Sequence, residues 1–198
     1  ELMRAIYGYS GQPITRAALL LSALLFQRPG NIRAMEWAWI DLEKAMLTIP
    51  AQDMKRRLHE KRNGRPHFVP LATQALQTLE EIAPLTGHGR YVFPSIRTGE
   101  RPMSENTVNA ALRRLGYTND EMTAHGFRAM ARTVMAEQLH GISPDVIEAQ
   151  LAHGKSGPLG TAYDRAEFMD KRKEMMQRWA DYLGQLAGNA QVRTLRAA

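Results

Sequence analysis

Residues 124–139 read AHGFRAMARTVMAEQL. From Phe127 onward the apolar residues recur at helical spacing, so the stretch predicts a helix over Ala124–Leu139 that opens on His125-Gly126-Phe127-Arg128. A three-residue spacing puts His125 and Arg128 on roughly one face. Such a pair suits surface hydrogen bonding or the binding of a phosphate. Downstream, Gly141 punctuates a loop, Ser143 and Pro144 suit an N-cap and a first helical position, and Pro144–Leu151 reads as a short helix. It runs into Leu151-Ala152-His153-Gly154, where His153 is a C-cap or a pocket residue. A last amphipathic helix covers Ala166–Leu183, with Phe168, Met175, Met176, Trp179 and Leu183 on one apolar stripe.

Upstream of the opening stretch, Glu105–Leu115 and Ala72–Ile82 have helical patterns, the first with Ser104 as its cap. Before them lie three short strand-like pieces, Trp39–Leu42, Ala45–Ile49 and His67–Leu71. Asp53–Pro66 joins the second to the third as a long, exposed hairpin connection. A short helix is expected at Ile32–Trp37, with Trp37 and Trp39 as core residues anchoring the sheet. Pro13–Phe26, rich in Ala and Leu, reads as a buried helix that stops before the turn Arg28-Pro29-Gly30. The expected fold is mainly α with a small three-stranded antiparallel β-sheet.

Composition sets outer bounds. A chain of 198 residues with 44% hydrophobic and 23% charged side chains can bury a core, and is neither a membrane protein nor a disordered acidic tail. The longest apolar run, Ile14–Phe26, is broken by Thr15, Arg16 and Ser22 and is too short to span a bilayer. Cysteine is absent, which excludes disulfides, thiolate nucleophiles and Cys-ligated metals, and fits a reducing compartment. No internal repeat, phosphate-binding loop, dinucleotide fingerprint or HExxH pattern occurs.

The net charge of +6 is unevenly placed. Residues 51–70 hold Lys55, Arg56, Arg57, Lys61, Arg62 and Arg65 against Asp53 and Glu60, and this segment carries most of the surplus. A local excess suits a polyanion, because each phosphate that is neutralised releases condensed counterions; a solvated loop reads the same way. Arg28, between a helix end and Pro29-Gly30, either caps that helix or serves as a rigidly held phosphate clamp. Tyr163, in Gly-Thr-Ala-Tyr-Asp-Arg, taken alone reads as a packing residue.

The order of these features is more telling than any one of them. Arg28-Pro29-Gly30 ahead of Trp37, a basic hairpin with Lys55, His125-Gly-Phe-Arg128, Leu151-Ala-His153 and then Tyr163 together resemble the catalytic domain of the tyrosine recombinases. The phrases RPGNIRAMEWAWIDLEKAMLTIPAQDMK, HFVPLATQAL, YVFPS, HGFRAMARTVM, LAHG and AYDRAEFMDKRKEMMQRWADYL are similar to integrases of P4-like prophages and genomic islands. The resemblance extends over nearly the entire chain.

It implies a mostly helical DNA breaking-rejoining domain over residues 1–183, followed by a tail, 184–198, that is mobile or docks on a neighbouring protomer. It implies a site-specific recombinase that cleaves and rejoins DNA through a 3'-phosphotyrosyl link, integrating or excising a mobile element without metal, ATP or other cofactor. Arg28 and Arg128 carry over as catalytic arginines, His125 as the partner of Arg128, His153 as the residue at the His/Trp position and Tyr163 as the nucleophile. Lys55 carries over as the catalytic lysine through its Ala-Gln-Asp-Met-Lys context, with Lys61 as the competing candidate. Arg56, Arg57, Lys61, Arg62 and Arg65 would contact the DNA backbone.

The partners implied are double-stranded DNA at attachment sites and a homotetramer in the synaptic complex, with a monomer for the isolated domain. Accessory DNA-bending or directionality proteins are also implied, and a membrane is not. The implied location is the bacterial cytoplasm, at the nucleoid. The chain starts close to the first catalytic-domain helix, so it is expected to be a piece of a longer protein with further DNA-binding modules. The alternatives are a type IB-like topoisomerase, which relaxes DNA as a monomer, and a noncatalytic DNA-binding module that keeps the fold.

Overall fold

The computed structural model describes residues 1–55, 64–152 and 160–188, and for 160–167 the backbone alone. Pro13–Leu25 forms the central helix, α2, in which every residue from Ala17 to Leu25 is buried. A helix apolar on all sides needs cover on all sides. α2 obtains it from α1 (Leu2–Tyr7), α3 (Pro29–Arg33), α4 (Thr73–Thr86), α5 (Thr107–Arg114), α6 (Gly126–Gln138) and α8 (Gly160–Ala187). α7 (Pro144–Gln150) packs between α6 and α8.

The sheet has the order β1 (Ile40–Asp41), β2 (Met46–Ile49), β3 (His67–Pro70), all antiparallel. The register pairs Leu47 with Val69 and Ile49 with His67, and these four side chains are buried. β1 turns into β2 through Asp41, whose carboxylate accepts bonds from the Lys44 backbone N–H at 2.9 Å and from its ammonium at 2.8 Å. β2 and β3 are hydrogen-bonded antiparallel neighbours, and of the connection expected over Asp53–Pro66, residues 56–63 lie outside the described residues. The first part of the connection is not wholly exposed: Ala51–Asp53 makes a 3-10 turn and Met54 is buried.

Several boundaries differ from expectation for local reasons. The short helix is Pro29–Arg33, earlier than Ile32–Trp37, because Pro29 at the first helical position has its backbone angle preset and needs no N–H there. Trp37–Trp39 is a 3-10 turn whose two tryptophans are half-buried against the core rather than within it. α4 continues past Ile82 and Pro84 to Thr86, whose buried hydroxyl accepts a bond from Trp37 Nε1 at 3.3 Å. α5 starts at Thr107 with Asn106 in the cap position, and Ser104 Oγ instead accepts the Asn106 N–H at 3.3 Å. α8 begins at Gly160, ahead of Ala166, and ends at Ala187, inside the segment expected as a tail. Among the described residues no helix is long and apolar enough to cross a membrane.

Candidate active site

Where α2 ends, Phe26 takes the left-handed conformation, φ 41° and ψ 35°, while its N–H closes the last helical bond to Ser22 O at 3.1 Å. A bulky residue there is strained. The strain is held by packing, since the ring is fully buried edge-on against Trp179 at 6.2 Å between centroids. The consequence is a sharp exit: Gln27 stays buried, Arg28 becomes the N-cap of α3, and the Phe26 carbonyl turns toward α6.

That carbonyl meets Arg128. The Arg128 guanidinium, 5% exposed, donates from Nη1 to Phe26 O at 3.0 Å and from Nη2 to Leu151 O at 2.8 Å. Its pKa is lowered to about 10, first by burial and then by the like charge of Arg28, with Glu148 opposing. It therefore stays cationic at neutral pH. Two main-chain carbonyls fix the orientation of the fork, and the charges of Arg28 and Glu148 both act on it. Glu148 is itself engaged by Arg132, whose Nε donates at 2.6 Å.

His125 caps α6 one turn before Arg128 and is exposed, with its carbonyl accepting the Arg128 N–H at 3.1 Å. Thr123 closes the same turn by accepting the Gly126 N–H on its hydroxyl at 3.1 Å. Lys55 is exposed beyond buried Met54. Its segment is tied to the helix that Arg28 caps, because Asn31 Nδ2 donates to Asp53 O at 2.8 Å. Arg28, Lys55 and Arg128 thus belong to one connected framework. Arg65 is exposed at the returning end of the hairpin connection.

The other expected residues lie partly or wholly outside the described residues. His153, Arg56, Arg57, Lys61 and Arg62 fall in 56–63 and 153–159. Tyr163 stands in the first turn of α8, described at the level of the backbone.

The residues that hold this framework together were not singled out by sequence. Gln150, fully buried at the end of α7, is a hub: its carbonyl accepts Gln27 Nε2 at 3.0 Å and contacts His67 Nε2 at 3.1 Å. Its side-chain oxygen accepts Arg172 Nε at 2.8 Å and Nη2 at 2.6 Å, and Arg172 Nη2 also donates to Phe68 O. Arg172 is 7% exposed, and burial lowers its pKa to about 10. A signal for both existed. Gln150 falls on the apolar face set by Val146 and Ile147, and Arg172 falls on the stripe from Phe168 to Trp179. A polar residue on an apolar face is the informative kind.

Residues 1–168 match the phage integrase family. The chain is 38% identical over 191 residues to the integrase of Enterobacteria phage P4, covering 92% of this chain and 43% of that protein. It is 37% identical over 181 residues to prophage integrase IntA of Escherichia coli strain K12, covering 91% of this chain and 41% of that one. The chain thus spans less than half the length of these curated relatives. Among solved structures, the integrase from mycobacterium phage Brujita superposes with a TM-score of 0.62 at 19% identity, over 88% of this chain and 54% of that chain. At that identity the likeness concerns the fold.

Proposed function

The chain belongs to the phage integrase family, and from that premise we propose that it is the catalytic domain of a tyrosine-type site-specific DNA recombinase, the donor of strand cleavage and rejoining to a longer integrase. The observation that carries the reading is the buried Arg128 guanidinium, aimed by two main-chain carbonyls with the charge of Arg28 acting on it.

The chemistry follows from what a phosphodiester exchange requires. The Tyr163 oxygen attacks the scissile phosphorus, the bond to the 5'-oxygen breaks, and the protein is left joined to the 3'-phosphate. The phenolic proton passes to His125 or His153, and Lys55 gives a proton to the departing 5'-oxygen. Arg28 and Arg128 take the two nonbridging oxygens, where charge grows in the pentacoordinate transition state. The phosphotyrosyl link conserves the bond energy, so rejoining needs neither ATP nor metal, and adducts should form in EDTA. Arg56, Arg57, Lys61, Arg62 and Arg65 approach the backbone of double-stranded DNA at an attachment site.

Strand exchange between two sites calls for four protomers in synapsis, with the chain beyond Ala187 reaching a neighbour, while the isolated domain is a monomer. Accessory DNA-bending or directionality proteins act on the same DNA, at the bacterial nucleoid. The test is Tyr163→Phe on a nicked suicide duplex, in which the product strand diffuses away and traps the intermediate. Covalent adduct should vanish while noncovalent binding stays within about twofold, since one hydroxyl contributes little to backbone affinity. Adduct persisting in that variant would refute the assignment.

A further inference from the structure

The mechanism above uses neither Gln150 nor Arg172, yet together they form a costly buried feature. Arg172 places a cation in a nearly dry contact between α8, α7 and β3, where its partners among the described residues are an amide oxygen and a main-chain carbonyl, both uncharged. The Gln150 amide has to turn its oxygen toward Arg172, and its Nε2 is then buried without a partner among the described residues. Apolar side chains of similar volume at both positions would avoid these desolvation costs, and buried ionic groups are commonly matched or exceeded in stability by such replacements. Stability is therefore a poor account of the pair.

Its connections suggest a better one. Arg172 grips Gln150 with two donors, which fixes both distance and angle. The Gln150 carbonyl holds Gln27, the residue before Arg28, and the next carbonyl, Leu151 O, holds Arg128. Arg172 also stands nine residues after Tyr163 on the same helix, a separation of about 14 Å along the axis. One side chain thus links the helix that bears the nucleophile to the two peptide groups that aim both arginines.

We infer that Arg172 and Gln150 form a positioning clamp that, from the Tyr163 helix, holds the Arg28 and Arg128 phosphate centre in place. The clamp rests on the recombinase reading given above. Neither residue touches the reacting atoms; they act through Gln27 and the Leu151 carbonyl.

The test is Arg172→Met in the full chain. Its substrate is a duplex selected for adduct formation by the unaltered protein from a pool of randomised nicked duplexes, used at saturating DNA. A displaced arginine should lower the first-order rate of adduct formation by about tenfold or more, with DNA affinity little changed. The informative comparison replaces one nonbridging oxygen of the scissile phosphate by methyl, which removes the charge the arginines neutralise. On this neutral substrate the penalty of Arg172→Met should shrink to less than about threefold. Equal penalties on both substrates, or none on either, would overturn the clamp. If Arg172→Met does not fold, the double variant Gln150→Leu with Arg172→Met removes the orphaned amide as well, and the same comparison decides. Failure of the unaltered chain to select any duplex would instead overturn the recombinase reading.

Discussion

Phe26 shows how one residue's conformation reaches the chemistry. Its left-handed backbone costs on the order of 1–2 kcal/mol, and it re-aims a carbonyl that Arg128 then uses as a fixed support. His-x-x-Arg at a helix start drew attention to Arg128, although the spacing alone suits surface hydrogen bonding as well as phosphate binding and only the resemblance chose between them. Its supports were not legible, because a main-chain carbonyl 102 residues away has no sequence signature. Lys55 belongs to the same scale. It is exposed at the end of a segment anchored by Asn31. Lys55→Ala should slow adduct formation on ordinary DNA by about 10²–10⁴-fold, the usual worth of a general acid. A substrate with sulfur at the 5'-bridging position, a better leaving group, should restore most of that rate. Absence of rescue would move the role to Lys61.

Among the elements, α8 carries the most consequence. It packs on α1, α2, α4, α7 and β3, and Trp179 is its principal anchor, fully buried with Nε1 donating to Ala23 O at 2.9 Å. The ring lies edge-on to Phe26 and stacks on Tyr182 at 6.0 Å between centroids. Trp179→Ala should cost about 3–5 kcal/mol in a urea titration, and because the same ring braces Phe26, adduct formation should suffer even under conditions where the variant is folded. A loss below about 1 kcal/mol would mean that α8 is held elsewhere. The apolar stripe of this helix was readable, and Met175, Met176, Trp179 and Leu183 are all buried as its spacing implies. Its start was not: Gly160–Arg165 has no apolar period, and the helix there continues a pattern that begins later. The short helix after Arg28 was displaced for the opposite reason, since Pro29 is a start signal that the apolar residues further on outweighed.

For the whole molecule, the sequence arithmetic and the fold describe the same object from two sides. The three antiparallel strands, the buried α2 and the helical remainder were legible because periodicity and turn residues agree in each. The framework joining Gln27, His67, Gln150 and Arg172 was not, because it is built from contacts between residues far apart in sequence. That framework makes the arginine centre and the Tyr163 helix parts of one packed unit.

The chain's surplus charge, concentrated in residues 51–70, lies in the connection that follows β2, next to Lys55 and the segment anchored on α3. The central claim is that the chain joins itself to DNA through one tyrosine. Peptide mapping of the trapped adduct by mass spectrometry tests it directly. The account predicts a nucleotide joined through its 3'-phosphate to Tyr163; attachment to any of the other five tyrosines, or through a 5'-phosphate, would contradict it.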